Sequence, residues 1–494
     1  VGKSARMDRS SRSSRSRMGR GGAWALAPLA LLLACCACLA QGARAAAGGQ
    51  TVTVASLARE VDLTTQSLIV ASVLKLENAG AAPLSSFTYC ASEIIRGRDI
   101  LWIEFDEGES GADNAGKTTK LSWTLDENEC MAVELASPLT KKEGQRTVEI
   151  YEVFAMNFEN VPAQIYQSEK QVVAFSDFDV VVRSPAHLAI AEQKTTLYLP
   201  SSNADHFTKV KPTKKSGAEI KYGPYTAGSE PEPSDANIVV VVEHPEALLS
   251  IEKVTREMTI SSWSDIEVQE HYHLKNVGPS FKDGFSRVEY SRNPLRYVLD
   301  DFVLSVPPMA HSFFFIDVLG NITTAKLRYE SDKVEVEAEP RFPIVPGWQT
   351  HFTFGYKLPK EGFVGDTAAS GGKKFVIGAL PALAVNVKNL TVNVAVPEFS
   401  TNLGGSSSFP FRRSKTAIGV KKWYMDIFSR PMWTLELQEV SAEAEVVVEV
   451  EWQEPAMLHL KEPAMVAAAL TVLAFLALVY SASDFTLKGK VKTS

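Results

Sequence analysis

One segment of the chain matches the pattern of a phosphate-binding loop. Residues 111–118 read GADNAGKT, which fits G-x-x-x-x-G-K-[ST]. Such a loop binds phosphate when a strand leads into it and a helix leaves it, because the helix N-terminus holds the anion. Here residues 120–125 alternate like a second strand, and the carboxylates nearby would repel a triphosphate: Asp106, Glu107, Glu109 and Asp113. We therefore predict a hairpin loop at this position and no nucleotide site.

Two histidines could share a metal ion. In the alternating segment 266–275, His271 and His273 point to the same face of a predicted strand. Neutral imidazoles can bind zinc, but a structural site needs four ligands, and no cysteine or third histidine stands at a diagnostic spacing nearby. We therefore favour a solvated strand face and predict no metal site.

The signatures of other enzyme classes are missing from the sequence. It contains neither G-x-S-x-G nor H-E-x-x-H, and no Cys/His zinc spacing. The acidic residues Glu335, Glu337 and Glu339 share one strand face, where a solvated surface is the usual explanation. We predict no catalytic residue and no cofactor. A free-standing hydrolase is kept as an alternative, since catalytic groups can be distant in sequence.

The composition is that of a globular protein. The 494 residues are 45% hydrophobic and 22% charged, and the formal net charge is −7. Proteins that bind nucleic acid usually carry a basic surface, which this charge does not favour. We predict no nucleic-acid partner.

Two apolar segments frame the chain. Residues 464–482 carry no charge and would span roughly 28 Å as a helix, close to the thickness of a bilayer's hydrocarbon core. Lysines follow this segment, so the positive-inside rule puts residues 483–494 in the cytoplasm. An N-terminal apolar run ends in small residues at Ala40 and Ala43, which predicts an N-terminal extension and signal peptide over residues 1–43. The two segments together predict a single-pass type I membrane protein.

The residues between these segments are predicted to be mainly β. Short apolar or alternating runs suit strands and no long amphipathic helix is indicated in the first half. The predicted strands are residues 68–76, 100–105, 121–125, 148–154, 172–182, 195–199, 238–242, 266–275, 334–339, 390–396 and 446–452. Residues 209–235 are predicted to be a linker or surface crossing, and residues 361–374 and 400–415 to be exposed loops. We predict two luminal β-sandwich-like domains, residues 50–235 and 236–460, followed by the single transmembrane helix.

Some residues are candidates for covalent modification in a lumen. Cys90 and Cys130 are the cysteines beyond the N-terminal apolar run. They form one disulfide or stay as two buried thiols, and the sequence leaves both open. The N-x-T sequons at Asn321 and Asn389 are candidate glycosylation sites.

The C-terminal apolar segment also has a face of small residues. These residues recur at three-, four- and seven-residue spacings: Ala467, Thr471, Ala474 and Ser481. In lipid, small residues let two helices approach closely. We predict that this face contacts a helix of another subunit.

A series of short motifs occurs in order along the chain. They include residues 167–170 (QSEK), 222–225 (YGPY), 284–287 (GFSR), 340–343 (PRFP) and 347–351 (GWQTH). Together they resemble the ribophorin I family, whose members are type I subunits of the endoplasmic-reticulum oligosaccharyltransferase complex.

The resemblance implies a non-catalytic, accessory role in protein N-glycosylation. In that family a different, multi-spanning subunit transfers a preassembled glycan from dolichol pyrophosphate to Asn of N-x-S/T in nascent chains. The accessory subunit supports complex stability and substrate presentation. The implied partners are the other subunits including the catalytic one, the translocon, nascent chains and membrane lipid.

The implied location is the endoplasmic-reticulum membrane, with most of the chain in the lumen. Lys490 and Lys492 resemble a dilysine retrieval signal of that membrane, and ordinary positive-inside charge explains them equally well. A luminal substrate receptor or chaperone is the other alternative to the accessory role.

Overall fold

The computed structural model describes most of the chain from residue 52 to residue 483. The described ranges are 52–65, 67–80, 82–89, 100–108, 118–125, 130–141, 145–155, 158–182, 188–229, 231, 237–367, 371–423, 426–455 and 457–483. The predicted leader, Cys90, the central part of the phosphate-loop-like segment, Lys490 and Lys492 lie outside these ranges.

The first half of the described chain folds into seventeen strands. They are β1 (Val52–Asp62), β2 (Ser67–Asn78), β3 (Leu84–Tyr89), β4 (Ile100–Gly108), β5 (Thr118–Lys120), β6 (Trp123–Leu125), β7 (Met131–Leu139), β8 (Gln145–Ala155), β9 (Phe158–Asn160), β10 (Gln164–Ile165), β11 (Val172–Asp179), β12 (Leu188–Ile190), β13 (Glu192–Tyr198), β14 (Ala204–Phe207), β15 (Thr213–Ser216), β16 (Glu219–Thr226) and β17 (Asn237–Glu243). Their burial alternates along the strand, as expected for sheets with one covered face.

The second half adds sixteen strands and ends in a helix. The strands are β18 (Leu249–Thr259), β19 (Ile266–Asn276), β20 (Ser280–Phe281), β21 (Phe302–Val306), β22 (His311–Asp317), β23 (Gly320–Asn321), β24 (Ala325–Tyr329), β25 (Val334–Ala338), β26 (Gln349–Leu358), β27 (Val364–Asp366), β28 (Gly372–Gly378), β29 (Val387–Ala395), β30 (Thr401–Ser407), β31 (Ser414–Lys421), β32 (Arg430–Val440) and β33 (Val447–Gln453). A short helix α1 (Arg287–Arg292) follows β20, and a 3-10 turn (Leu458–Leu460) leads into α2 (Lys461–Ala482). The mainly β fold class is confirmed.

The two halves repeat one arrangement of three sheets. The large sheets have the orders β15-β16-β13-β1-β2-β8-β4-β5 and β31-β32-β29-β18-β19-β26-β22-β23. The four-stranded sheets are β14-β17-β11-β9 and β30-β33-β28-β27, and the three-stranded sheets are β3-β7-β6 and β21-β25-β24. The parallel pair also recurs, as β1 with β13 and β18 with β29. The chain is therefore a tandem repeat, with β1–β17 as copy 1 and β18–β33 as copy 2.

Each large sheet buries one face under both smaller sheets of its copy. In copy 1, Val61 of β1 packs in one apolar cluster with Phe175 of β11 and Val240 of β17. Leu57, on the same face of β1, belongs to a second cluster that includes Phe87 of β3. The buried face therefore has two apolar halves, with a junction between them where three sheets meet.

Helix α2 is long and apolar enough to cross a membrane. It covers 22 residues, roughly 33 Å of helix, and none of its residues is buried. It contains the predicted segment 464–482 and begins three residues earlier. Among the described residues it is the one helix with this length and composition.

Three stretches predicted to be linker or loop contain strands. Residues 209–226 contain β15 and β16, which pair at the edge of the first large sheet. Tyr222 and Tyr225 are buried there, and their hydroxyls donate to the carbonyls of Thr208 and Val210. The loop predictions at 361–374 and 400–415 are likewise wrong, because β27, part of β28 and β30 lie in them. Glycine and serine are tolerated in such strands where the outer face is exposed.

The predicted strands correspond to β2, β4, β6, β8, β11, β13, β17, β19, β25, β29 and β33. The division into two domains stays a prediction. Strand β17 pairs with β11 and β14 of copy 1, so the sheet pairing favours a domain boundary after Glu243 rather than at residue 235.

Candidate functional site

The phosphate-loop-like segment is flanked by two paired strands. Asp106 of β4 lies opposite Lys120 of β5 in an antiparallel pair. A strand, and no helix, therefore follows the motif, so the nucleotide-site geometry is not met. The pairing agrees with the hairpin prediction, although residues 109–117 themselves lie outside the described part of the chain.

The two histidines of β19 do share a face, and each is engaged by a neighbouring side chain. His271 Nδ1 lies 2.8 Å from Thr353 Oγ1, and the His273 ring packs edge-on against the His351 ring at 4.2 Å between centroids. Burial, together with the positive neighbours His351 and Lys253, lowers the pKa of His273. Within the described ranges, no group of three or more His, Cys, Asp or Glu residues could hold a metal ion.

The most constrained charged residues lie where the three sheets of copy 2 meet. Arg256 of β18 is buried, and its Nε lies 3.0 Å from Oε1 of Glu270 on β19. Its Nη1 donates to the carbonyls of Gly378 (2.6 Å) and Leu380 (2.5 Å), and its Nη2 donates to the Tyr356 hydroxyl (3.0 Å). The arginine therefore joins the large sheet to the end of β28 in the four-stranded sheet.

Glu270 extends this junction towards the three-stranded sheet. Its side chain is 0% exposed, and its Oε2 accepts from the Tyr272 hydroxyl (2.5 Å) and from the backbone N–H of Ala382 (2.9 Å). The carbonyl of Ala382 accepts from the N–H of Ser305 in β21. Burial, reinforced by the Glu270 carboxylate, raises the pKa of Tyr272. The ion pair thus connects the large sheet to the end of β28 directly, and to β21 of the three-stranded sheet through the backbone of Ala382.

Copy 1 has a related junction around Arg59 of β1. Arg59 Nη1 donates to the carbonyl of Asp179 at the end of β11, 2.9 Å away. On the neighbouring side, the Tyr89 hydroxyl of β3 donates to Glu152 Oε2 of β8 at 3.0 Å. All of these side chains are buried. A buried arginine is thus present in both copies, and in copy 1 the carboxylate that interacts with it electrostatically is Glu152 of β8.

The sequence patterns considered above did not predict these buried charges, although the internal repeat can be recognised in the sequence. Arg59-Glu60 in β1 corresponds to Arg256-Glu257 in β18. Each is followed by the pattern Leu-x-Asn-x-Gly at the end of the next strand, ending in Gly80 and Gly278. A search for internal similarity would therefore have marked both arginines.

The Glu152 junction predicts a pH-dependent stability. Burial raises the pKa of Glu152 from 4.5 to about 7, with Arg59 opposing the shift. Since the folded state then binds this proton more tightly, the free energy of unfolding falls as pH rises from about 5 to 8, by on the order of 3 kcal/mol. Glu152→Gln keeps an acceptor for Tyr89 but cannot ionise. Its melting temperature, measured against pH, should fall less over this range than that of the wild type.

The control for this experiment is Glu149→Gln on the same strand, where the side chain is exposed. It should leave the wild-type pH dependence unchanged. The assignment would be contradicted if the melting temperatures of wild type and Glu152→Gln changed by the same amount from pH 5 to 8.

A second group of charged residues lies at the base of α2. Lys461, the first residue of α2, pairs with the buried carboxylate of Glu398 and lies 3.7 Å from Asp426. Asp426 accepts from Arg430 Nε and Nη2 at 2.9–3.0 Å and from the N–H of Trp423 at 2.8 Å. We call Lys461, Glu398, Asp426 and Arg430 the anchor node. It fixes the start of the apolar helix to loops of the second large sheet.

A model of the family Ribophorin I matches residues 52–481, which include both copies and nearly all of α2. The chain belongs to the ribophorin I family. The family match therefore extends across both three-sheet units and the anchor node.

Relatives of this ribophorin I chain are named as subunits of one transferase. It is 29% identical over 448 residues to dolichyl-diphosphooligosaccharide–protein glycosyltransferase subunit 1B of Oryza sativa subsp. japonica, covering 88% of this chain and 92% of that protein. It is 28% identical to subunit 1A of Arabidopsis thaliana, covering 88% and 71%, and 26% identical to subunit 1 of Caenorhabditis elegans, covering 88% and 73%.

Among solved structures, an M1 zinc metallopeptidase from Deinococcus radiodurans matches with a TM-score of 0.25 and 13% identity, covering 42% of each chain. That TM-score does not indicate a shared fold.

The ribophorin I motif at residues 340–343 supports a surface hairpin. Arg341 Nε donates to Asp317 Oδ2 at 2.8 Å, and its Nη2 reaches the carbonyls of Gly320 and Asn321. Hydrogen bonds from Arg341 lower the pKa of Asp317. The motif thus holds the turn between β22 and β23, just before the first sequon at Asn321.

The other predicted site residues are scattered rather than gathered into one site. Asn321 is exposed in β23, and Asn389 is exposed in β29 with its Nδ2 donating to the Glu252 carbonyl. Cys130 is disulfide-bonded, while Cys90 lies outside the described residues. The residues of the small helix face all lie on exposed α2. The glycosylation sites, the Cys90–Cys130 pairing, the retrieval signal and the helix contact stay predictions.

Proposed function

We propose that this chain is a non-catalytic accessory subunit of the oligosaccharyltransferase complex. Its α2 helix crosses the endoplasmic-reticulum membrane once, and its two three-sheet copies lie in the lumen. The family match over residues 52–481 carries this proposal, because it covers nearly all of the described chain rather than a single domain. The names of the relatives supply the identity of the complex.

The accessory role is supported by how the buried charges are used. Arg256 and Glu270 are occupied by backbone groups and by each other, so they act as connections between sheets. A catalytic pair would instead have to reach a substrate. We assign the transfer chemistry to a separate multi-spanning subunit of the complex.

The luminal location is supported by Cys130. Disulfides persist in oxidising compartments and are rare in the cytosol. Cys130 is disulfide-bonded and lies in copy 1, on the N-terminal side of α2. The lysines after α2 favour the opposite, cytoplasmic side for the C-terminal residues.

Isolation of the tagged chain in a mild detergent tests the proposal. We expect the other subunits of the transferase, including the catalytic one, to co-purify in fixed proportion, with the translocon and nascent chains as weaker partners. Recovery of a monomer with bound client proteins would favour the receptor or chaperone alternative. Recovery of a lone, active hydrolase would refute the accessory role.

The small face of α2 is proposed as the contact with a partner helix. The Thr471 hydroxyl donates to the Ala467 carbonyl within the same helix, so this face offers close approach rather than a free hydroxyl donor. Ala474→Leu should reduce co-purification of the other subunits several-fold because it separates the helices. Val472→Leu, on the opposite helix face, is the matched control. Equal recovery for both variants would argue against this face.

A further inference from the structure

One end of the second large sheet carries a group of exposed apolar side chains. The loops after β18, after β29 and between β31 and β32 emerge together at this end, because Thr259 pairs with Ala395 and Ala395 pairs with Met432. These loops carry Trp263, Phe399, Ile427 and Phe428, which are 58%, 46%, 50% and 61% exposed. We call these four residues the apolar rim.

The apolar rim is continuous with the anchor node. Glu398, which pairs with Lys461, directly precedes Phe399 and also accepts from the N–H of Phe428 at 2.5 Å. The rings of Phe399 and Phe428 pack edge-on at 5.5 Å between centroids. The two phenylalanines are thus fixed beside the first residue of α2.

The third loop is tied to the same node. Arg430, bonded to Asp426, also donates from Nη1 to the carbonyl of Ile260 at 3.4 Å. Trp263 follows three residues later in the same loop, which holds it at the same end of the sheet.

Phe399 has a backbone conformation that its side chain does not favour. Its φ is 61°, in the left-handed region that is strained for a bulky residue. A glycine would adopt this conformation without strain. The aromatic side chain therefore occupies a position where the backbone conformation alone would favour glycine.

We infer that the apolar rim inserts into the bilayer that α2 crosses, at the level of the phospholipid headgroups and upper acyl chains. The headgroup region on each side of a bilayer is roughly 5–8 Å thick. The uncharged segment of α2 begins at residue 464, within one turn of Lys461. Lys461 pairs with Glu398, which is bonded to the rim, so the side chains of the apolar rim lie at the level of the headgroups. Tryptophan and phenylalanine are residues that bind this boundary favourably. The second large sheet then stands with this end on the membrane.

This inference rests on the proposed membrane span of α2, and the test separates the two. The full chain is placed in phosphatidylcholine nanodiscs with an environment-sensitive dye on a single introduced cysteine. Ser429→Cys reports on the rim, Leu476→Cys on the apolar part of α2, and Val318→Cys on the far end of the sheet. Val318 is 80% exposed and follows β22, whose length places it roughly 20 Å from the rim end. Wild-type chain treated with the dye gives the labelling background.

The expected result is depth-dependent quenching by nitroxide lipids. The Ser429→Cys dye should be quenched roughly twofold or more by a nitroxide high on the acyl chain and less by one near the chain end. The Leu476→Cys dye should show the reverse order, and the Val318→Cys dye should not be quenched. Quenching at Leu476→Cys without quenching at Ser429→Cys would overturn the inference alone. Absence of quenching at Leu476→Cys would overturn the membrane span.

A variant separates membrane contact from folding. Phe399→Gly removes one ring of the apolar rim and relieves its backbone conformation, so the melting temperature should not fall. Combined with Phe428→Ser, it should reduce quenching of the Ser429→Cys dye by at least about half. The pair Val318→Ser and Leu319→Ser, whose native side chains are 80% and 72% exposed at the far end, should leave quenching of the Ser429→Cys dye unchanged. Undiminished quenching in the rim variant would overturn the role of the aromatic side chains.

Discussion

Replacing Arg256 with methionine is expected to destabilise the protein by about 3–5 kcal/mol. The substitution leaves the Glu270 carboxylate, which is 0% exposed, without its cation and removes the donors that satisfy the carbonyls of Gly378 and Leu380. An uncompensated buried charge is among the most destabilising single changes. The melting temperature of the purified full chain should fall by roughly 3–6 °C, since a chain of this size shifts by about 1 °C per kcal/mol.

The matched control is Lys253→Met on the same strand. Lys253 is exposed, so its replacement by methionine should change the free energy of unfolding by no more than about 0.5 kcal/mol. Adding Glu270→Gln to Arg256→Met removes the unpaired charge, so the double variant should recover a substantial part of the lost free energy of unfolding. A melting temperature for Arg256→Met within about 1 °C of the control, a margin of about 1 kcal/mol, would contradict the role of this ion pair.

Replacing Asp426 with alanine is expected to release the base of α2. The change removes the carboxylate that holds Arg430 and the N–H of Trp423, and it leaves Glu398 to compensate both Arg430 and Lys461. A local loss of about 3 kcal/mol corresponds to roughly a hundredfold rise in the open population of this segment. Limited proteolysis around residues 457–461 should accelerate accordingly, while cleavage elsewhere stays unchanged.

Asp366→Ala provides the control for that measurement. Asp366 also pairs with a lysine, Lys373 at 2.5 Å, but its side chain is 79% exposed. Exposed ion pairs contribute little, so proteolysis at the helix base should match the wild type. Equal cleavage rates for Asp426→Ala and Asp366→Ala would show that the anchor node does not hold the helix.

The strands of the core could be predicted because β-branched and aromatic residues stand at every second position, and these positions are the buried ones. Strand β19 is an example, with Ile266, Val268, Tyr272 and Leu274 all on the buried face. Strands with exposed or glycine-rich sequences could not be predicted in this way. Strand β30 reads TNLGGSS and is held in place by pairing with β33. Sequence periodicity does not indicate that pairing.

The buried charges were missed for a related reason. Glu270 stands between Val268 and Tyr272 on the buried face of β19, yet acidic residues are usually exposed. Its partner Arg256 lies on the preceding strand, across a turn. The carbonyls that complete the site come from the end of β28 and the loop after it, more than a hundred residues away. The anchor node likewise unites Glu398, Asp426 and Lys461 through tertiary structure alone.

The membrane helix was the most predictable element, since its length and composition suffice to identify it. The family motifs were also readable, although their structural roles were not. Arg341 in the PRFP motif serves to hold the turn before Asn321, which the sequence alone did not indicate.

The central claim is that this chain supports glycan transfer but performs no chemistry itself. The most direct test is a transfer assay with a lipid-linked oligosaccharide and an N-x-T acceptor peptide, using the isolated chain, the complete complex and the complex depleted of this chain. We predict no glycopeptide from the isolated chain, full transfer from the complex, and reduced transfer after depletion that is restored when the chain is added back. Glycopeptide formed by the isolated chain, or undiminished transfer by the depleted complex, would contradict the account.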